Sequence, residues 1–329
     1  MITELRRHEL DFIKGFAILS VILLHTLSGS MLYKIYAYFH IWQAVPLFVF
    51  VSYYLFFVKL GKQSNVGFYF SGTKIKKVIR RVIIPFTIIE LLIIIVNELF
   101  SFSISALAII KSLGIGPGSY YPYIYIQLWG SAPFIFILLN KVKGGVVLLF
   151  MCIILNIVAC RYISYDRIYS CLFVRYLFIS FLAYQWYKKN IKICSLLSVV
   201  SIIYYFLVIK CDISFIPWID NRWELQQFPA FFYTLLLFAF LYKSYPYLNL
   251  QFGKVMKFVE RLGRCSYEIF LLQMFFLVFL NYDNTFLVHW RLLGKIAFVS
   301  IILFLSIVPV LIYKTIYEKY SNNSCAWRK

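Results

Sequence analysis

The first apolar segment of the chain, HELDFIKGFAILSVILLH, carries ionisable side chains that could do chemistry. Lys14 and His25 are eleven residues apart, close to three full turns of an α-helix, so both fall on one stripe about 16 Å long. Asp11 lies on nearly the same face, one turn before Lys14. A lysine ammonium suits a phosphate group, and an imidazole suits a general base or a proton carrier. The stripe therefore predicts a phosphate-bearing ligand at one end and acid–base chemistry at the other.

Acyl-coenzyme A fits this spacing, because it carries phosphates at one end and a thioester sulfur at the other. Its pantetheine arm could cover a distance of about 16 Å, which is what eleven helical residues span. The alternative is structural, with His25 hydrogen-bonded to a neighbouring helix in the core and Lys14 extending its ammonium to the membrane surface. The segment by itself leaves both interpretations open.

The elements that carry the stripe must lie in a membrane. Of the 329 residues, 62% are hydrophobic and 14% are charged, whereas soluble domains carry about 25% charged residues. The low fraction of charged residues excludes a soluble globular domain, and the high fraction of hydrophobic residues excludes a disordered chain. The sequence therefore predicts an all-α, polytopic integral membrane protein, with residues 1–329 forming a single membrane-embedded domain.

About ten apolar stretches are long enough to cross the hydrocarbon core as helices. We place them at residues 12–31, 36–58, 82–102, 121–140, 144–160, 168–187, 193–209, 229–248, 266–282 and 293–315. With the N-terminus in the cytoplasm, about three quarters of the 33 Lys and Arg residues fall on the cytoplasmic side, as the positive-inside rule requires. We therefore expect both termini in the cytoplasm, and we interpret most of the +20 charge as orientation rather than nucleic-acid binding.

Cysteine and histidine give no sign of a metal site. The seven cysteines are scattered, and no C-x-x-C pair or His/Cys cluster occurs in the sequence. We therefore expect no bound metal, and we expect the cysteines to behave as small buried apolar side chains.

Five segments, taken in order, resemble one known family. They are Leu10–Gly15 running on to His25, Val45–Tyr54, Lys74–Phe86, Gly116–Trp129 and Leu262–Gln273. Together they resemble the acyltransferase 3 family of integral membrane acyltransferases, whose members modify bacterial surface carbohydrates and related acceptors. Three positions depart from the family pattern: Lys14 stands where arginine is commonest, Tyr53 replaces the usual glycine, and Gln273 stands where histidine is common.

The resemblance implies roles for the basic residues and for the histidine. It implies acyl-coenzyme A as the donor, His25 as the catalytic residue and Lys14 as part of the donor site. Arg81 lies four residues before Pro85, as in the family motif, so Arg81 and the adjacent Arg80 are candidates for binding the donor phosphates. The alternative for both arginines is positive-inside anchoring with contacts to anionic lipids.

Four further residues are candidates for binding substrate. Tyr121 follows a glycine-rich loop that could approach a ligand closely, although tyrosines are also common in the aromatic belt of membrane proteins. Gln127 lies near two turns further along the same helix and could face a cavity. Glu268 and Gln273 could orient the acceptor or His25; Gln273 cannot do acid–base work but can donate and accept hydrogen bonds. For Glu268 the alternative is simple exposure at a helix start.

The expected function is therefore membrane O-acyl transfer in the bacterial inner, or cytoplasmic, membrane. The donor would be acetyl-CoA or another short acyl-CoA in the cytoplasm, and the acceptor a sugar hydroxyl of a surface polysaccharide or its lipid-linked precursor. The expected partners are acyl-CoA, the glycan acceptor and membrane lipids, with no nucleic acid. Two alternatives remain: a transporter or flippase for a lipid-linked sugar, against which the lack of an internal repeat argues, and a structural partner in polysaccharide assembly.

Overall fold

The computed structural model describes residues 7–62, 69–100, 114–163, 166–190, 192–211, 228–280 and 282–326. Its α-helices in these ranges are α1 (His8–Thr26), α2 (Gly29–Lys34), α3 (Ala44–Gly61), α4 (Gly72–Val78), α5 (Ile84–Leu99), α6 (Tyr121–Leu139), α7 (Gly144–Tyr162), α8 (Asp166–Cys171), α9 (Ile179–Tyr187), α10 (Lys192–Cys211), α11 (Thr234–Arg264), α12 (Ser266–Phe279) and α13 (Arg291–Ala326). No strand occurs among the described residues. The prediction of an all-α protein is therefore confirmed.

Five helical segments of the described chain are long and apolar enough to cross a membrane. They are Ala37–Gly61, Gly72–Leu99, Tyr121–Leu139, Gly144–Tyr162 and Phe286–Lys319. A sixth arises if Pro229–Arg264 and Ser266–Phe279, which meet at a bend of 73°, together form one span. The helices are those of a membrane protein, while the number of about ten spans and the cytoplasmic location of both termini stay predictions.

Helix α1 lies against several other helices and is mostly buried. Its 19 residues include Glu9, Asp11 and Lys14, and these charges make it less apolar than the five segments above. The crossing with α11 is especially close, because a Cβ atom added at Gly263 would collide with the backbone of Asp11 and Gly15. The absence of side chains at Gly15 and Gly263 thus brings the two helices into backbone contact.

Predicted span 82–102 begins ten residues earlier in the structure, at Gly72. Pro85 has no N–H, so a carbonyl one turn before it lacks a helical donor. The helix widens there into a π turn, Ile79–Ile83, in which the N–H of Ile84 bonds the carbonyl of Ile79. Arg80 and Arg81 therefore lie inside a continuous 28-residue helix and not ahead of it. Residues 101 and 102 of the predicted span lie outside the described residues.

Predicted span 168–187 is broken into short pieces in the structure. Helix α8 ends at Cys171, a 3₁₀ turn follows at Phe173–Tyr176, and α9 begins at Ile179. Gln127 of α6 bonds the main chain at this break on both sides: its amide nitrogen donates to the Cys171 carbonyl (2.7 Å) and its oxygen accepts the Phe173 N–H (3.2 Å). The side chain of a residue on another helix thus stabilises the break.

The two predicted spans 229–248 and 266–282 become one long helix and one short helix. Helix α11 runs on to Arg264, and α12 ends at Phe279. Residue 281 of the second predicted span lies outside the described residues. The bend between the helices at Cys265 leaves α11 packed on α1, while α12 packs against α1, α5 and α13.

Candidate active site

The Lys14–His25 stripe of α1 faces the interior of the helical assembly. Ile18, Val21 and Ile22 lie between the two residues on this face, and they belong to one buried cluster with side chains of α5, α12 and α13. The stripe is therefore not on a lipid-facing surface, and its functional residues lie next to three other helices.

The two ends of the stripe differ in their contacts. The Lys14 ammonium forms an ion pair with Asp11 at 2.7 Å and stays partly exposed, with 26% of its side chain accessible. His25 is surrounded by protein and keeps some accessible surface. Its imidazole forms no hydrogen bond with another described residue. The stripe thus carries a partly exposed cation at one end and, at the other, an imidazole without a hydrogen bond to another described residue.

The π turn brings the predicted donor-binding arginines next to α12. Arg80 and Arg81 are exposed on the turn, and Tyr125 of α6 lies close enough to Arg81 to interact electrostatically. The Tyr267 hydroxyl donates a hydrogen bond of 2.8 Å to the carbonyl of Val82 within the same turn. The start of α12 therefore fixes the main chain that carries both arginines.

Tyr121 lies at the meeting point of α3, α6 and α12. Its ring contacts Phe48 (6.0 Å between centroids) and Phe270 (5.9 Å), and its hydroxyl interacts with Ser52. Like His25, it is enclosed by protein and keeps accessible surface. Tyr121 thus lies between three helices, close to the hydroxyl groups of Ser52 and Tyr125.

The glycine-rich loop before α6 packs against helices. Gly116 (φ 102°) and Gly118 (φ 89°) adopt a left-handed conformation that favours glycine. A side chain at Gly116 would meet Met274, and one at Gly118 would meet Phe270, both on α12. The close approach expected of these glycines is therefore an approach to protein, and it places Tyr121 at the start of α6.

The three other predicted substrate-binding residues have different surroundings. Gln127 is engaged at the break before α9, where its amide also bonds the Tyr123 carbonyl at 3.0 Å. Glu268 forms a half-exposed ion pair with Lys314 of α13 at 2.6 Å. Gln273 is completely buried, and neither its amide oxygen nor its amide nitrogen has a hydrogen-bond partner among the described residues. The structure thus places Tyr121 against Phe270, which is three residues before Gln273 on α12, while Gln127 and Glu268 contact other helical segments.

A polar cluster joins the start of α1 to α11. Glu260, which is buried, accepts a hydrogen bond from Tyr245 (2.6 Å) and pairs with His8 (2.7 Å). Nearby, Arg261 donates to the Thr315 hydroxyl of α13 at 2.6 Å. These contacts place the start of α1, the end of α11 and the end part of α13 at the same side of the protein. In the described residues no group of three or more His, Cys, Asp or Glu could hold a metal ion.

Sequence reasoning did not select Tyr267, Tyr125 or Ser52 as site residues. Tyr267 lies in the segment Leu262–Gln273, next to Glu268, so the motif itself was the available signal. Tyr125 is one of 27 tyrosines, and its spacing of one helical turn from Tyr121 was the only pattern that could have singled it out. Their importance follows from contacts between helices distant in sequence.

The fold and the site define a helical membrane protein whose central helix presents a lysine and a histidine to the interior of the helical assembly. The family model described as an acyltransferase domain, Acyl_transf_3, matches residues 7–314. The chain belongs to the acyltransferase 3 family, and the resemblance drawn from its motifs is confirmed. It is accordingly a membrane acyltransferase. Neither the curated proteins nor the solved structures contain a significant match to it.

Proposed function

We propose that this acyltransferase moves an acetyl or other short acyl group from cytoplasmic acyl-CoA to a sugar hydroxyl. The acceptor is a bacterial surface polysaccharide or its lipid-linked precursor, and the reaction takes place in the inner membrane. The observation that carries the proposal is the position of the Lys14–His25 stripe. Its cation and imidazole stand about 16 Å apart along a helix, and the stripe faces the core that α1 shares with α12.

Charge and accessibility support binding of the donor at the Lys14 end. Lys14 is partly exposed, and Arg80 and Arg81 are exposed on the π turn. Guanidinium and ammonium groups bind phosphate through charge-assisted hydrogen bonds. Phosphates of acyl-CoA would therefore be held by Lys14, Arg81 and Arg80, with the pantetheine arm directed along α1 towards His25.

The chemistry assigned to His25 requires a neutral imidazole that is free to accept a proton. Its lack of a hydrogen bond to another described residue supports this role. In direct transfer, the imidazole takes the proton of the acceptor hydroxyl as the oxygen attacks the thioester carbonyl. The C–O bond forms, the C–S bond breaks, and the leaving thiolate takes the proton back from the His25 imidazolium. In the two-step route, the acyl group is first carried on the imidazole, and trapping of the acyl-enzyme distinguishes the routes.

The acceptor side of the site is assigned to the surroundings of Tyr121. Tyrosine presents an apolar ring and a polar hydroxyl, a combination that suits a sugar. Tyr121 lies beside Ser52 and its ring contacts Phe270, whereas Glu268 is engaged in an ion pair with Lys314. We therefore propose Tyr121 for acceptor binding in preference to Glu268 and Gln127.

The test is transfer of label from radiolabelled acetyl-CoA to the native surface glycan in inverted membrane vesicles. His25→Ala should lower the rate by about 100-fold or more, the usual contribution of a general base. Lys14→Ala should raise the KM for acetyl-CoA, and Lys14→Arg should restore it. His289→Ala is the matched control, because His289 is an exposed histidine whose imidazole contacts the Phe286 carbonyl.

Two outcomes would contradict the proposal. If His25→Ala vesicles label the glycan at the wild-type rate, the catalytic assignment is wrong. If wild-type vesicles transfer no label but move the lipid-linked glycan across the bilayer, the protein is a transporter.

A further inference from the structure

The burial of the Gln273 amide is unfavourable, because no hydrogen bond within the described structure compensates for it. The side chain has no accessible surface, and both its amide nitrogen and its amide oxygen lack hydrogen-bond partners among the described residues. A buried polar group without a hydrogen-bond partner is disfavoured, because it has given up its bonds to water. Gln43 shows the contrast: it is equally buried, but its amide bonds Tyr205 (2.6 Å) and Thr234 (2.7 Å).

The neighbours of Gln273 on α12 define the direction in which its amide lies. Ile269, one turn earlier, belongs to the buried cluster that contains Ile18 and Ile22 of the α1 stripe. Phe270, three residues earlier, contacts the ring of Tyr121. Residues three and four apart share one helix face. Gln273 therefore lies on the α12 face that carries Ile269 and Phe270, next to α1 and Tyr121.

This position corresponds to a particular part of the proposed donor. Lys14 and the arginines of the π turn are assigned to the phosphates, and His25 to the thioester. The segment of acyl-CoA between these ends is the pantetheine arm, which carries two secondary amides. Each amide has one N–H donor and one carbonyl acceptor, which are complementary to the oxygen and the NH₂ group of a glutamine.

We propose that the unpaired amide of Gln273 binds an amide of the pantetheine arm of the acyl donor. The inference rests on the proposed function, since it requires acyl-CoA as the donor. It assigns Gln273 to donor recognition, in contrast to orienting the acceptor or His25. A glutamine that pairs with the arm contributes to ground-state and transition-state binding alike, so its loss raises KM and leaves kcat nearly unchanged.

The experiment measures binding of three ligands to the purified full-length protein in detergent, by calorimetry or by thermal shift. Coenzyme A carries nucleotide and arm, pantetheine carries the arm without the nucleotide, and adenosine 3′,5′-bisphosphate carries the phosphates without the arm. Gln273→Met keeps the size and shape of the side chain and removes its hydrogen bonds. Leu272→Met is the control on the same helix, because Leu272 lies on a different face.

The expected result is a loss of about tenfold in the affinity of Gln273→Met for coenzyme A and for pantetheine, the size of one hydrogen bond. Its affinity for adenosine 3′,5′-bisphosphate should equal that of the wild type. Unchanged affinity for all three ligands would overturn the inference, as would an equal loss for all three, which indicates a structural role. If the wild-type protein binds none of the ligands, the proposed function fails as well.

Discussion

The hydroxyl of Tyr267 lies 2.8 Å from the carbonyl oxygen of Val82 and donates a hydrogen bond to it. The bond joins two motifs that are 185 residues apart in the sequence. Val82 lies in the π turn with Arg80 and Arg81, and Tyr267 lies in the first turn of α12. One hydroxyl group therefore links the arginines assigned to the donor phosphates with the helix that carries Gln273.

Removing this hydroxyl in Tyr267→Phe should affect both stability and donor binding. The protein should lose about 1–3 kcal/mol of stability, because the buried Val82 carbonyl loses a partner. The KM for acetyl-CoA should rise severalfold as the π turn shifts. Tyr313→Phe is the control, since Tyr313 is exposed on α13. A Tyr267→Phe enzyme with wild-type melting temperature and KM would show that the bond does not hold the turn.

Gly263→Ala should prevent the close crossing of α1 and α11. The added methyl group would collide with the carbonyl of Asp11 and the nitrogen of Gly15. Overpacking of this kind typically costs about 1–3 kcal/mol, and here it would also displace Lys14. Gly130→Ala in α6 provides the comparison, because a methyl group there meets nothing within 4 Å.

Thermal melting of both glycine variants in detergent, together with vesicle acyl transfer, checks this prediction. Gly130→Ala should be neutral or more stable by up to about 1 kcal/mol, the difference in helix propensity between glycine and alanine. Equal melting temperatures for the two variants would contradict the backbone contact.

Gln127→Leu tests whether Gln127 binds substrate or stabilises the break before α9. Its amide bonds the main chain at Cys171, Phe173 and Tyr123, so the leucine should lower stability by about 2–3 kcal/mol. We expect the KM values of the protein that remains folded to stay within about twofold of the wild type. A change confined to the acceptor KM, with unchanged melting, would instead restore the substrate-binding prediction.

Glu268 and Lys314 should contribute little to stability. The two side chains are 40% and 31% exposed, and ion pairs of this kind give about 0–1 kcal/mol. A double-mutant cycle with Glu268→Gln and Lys314→Met should return a coupling energy in this range. The same variants report on function: an acceptor KM that rises in Glu268→Gln but not in Lys314→Met would support a direct substrate contact.

The sequence predicts the helical class and the location of the stripe because both depend on local pattern. Apolar content identifies membrane helices, and the spacing of Lys14 and His25 fixes their shared face once α1 is helical. The limits appear where local pattern and packing disagree. Hydropathy places a boundary before residue 82, at the two arginines, yet the helix continues through them from Gly72.

Other features depend on contacts that no single segment encodes. The uniformly apolar segment 168–187 is divided because Gln127, on another helix, bonds the main chain at Cys171 and Phe173. Gln273 is buried without a hydrogen-bond partner among the described residues, whereas Gln43 and Gln127 are hydrogen-bonded. Hydropathy and motif spacing do not predict this difference. The candidate site is therefore predictable in its first helix and depends on tertiary packing in the other helices.

Because of the π turn at Ile79–Ile83, the direction in which the basic side chains point depends on chain length and not on composition. A π turn is equivalent to one residue inserted into an α-helix. Deleting a single residue there would restore a regular helix and rotate Lys76 and Lys77 by about 100° around the axis relative to α5. Such a deletion would leave the net charge and hydropathy almost unchanged, so one residue of chain length sets the direction in which Lys76 and Lys77 point.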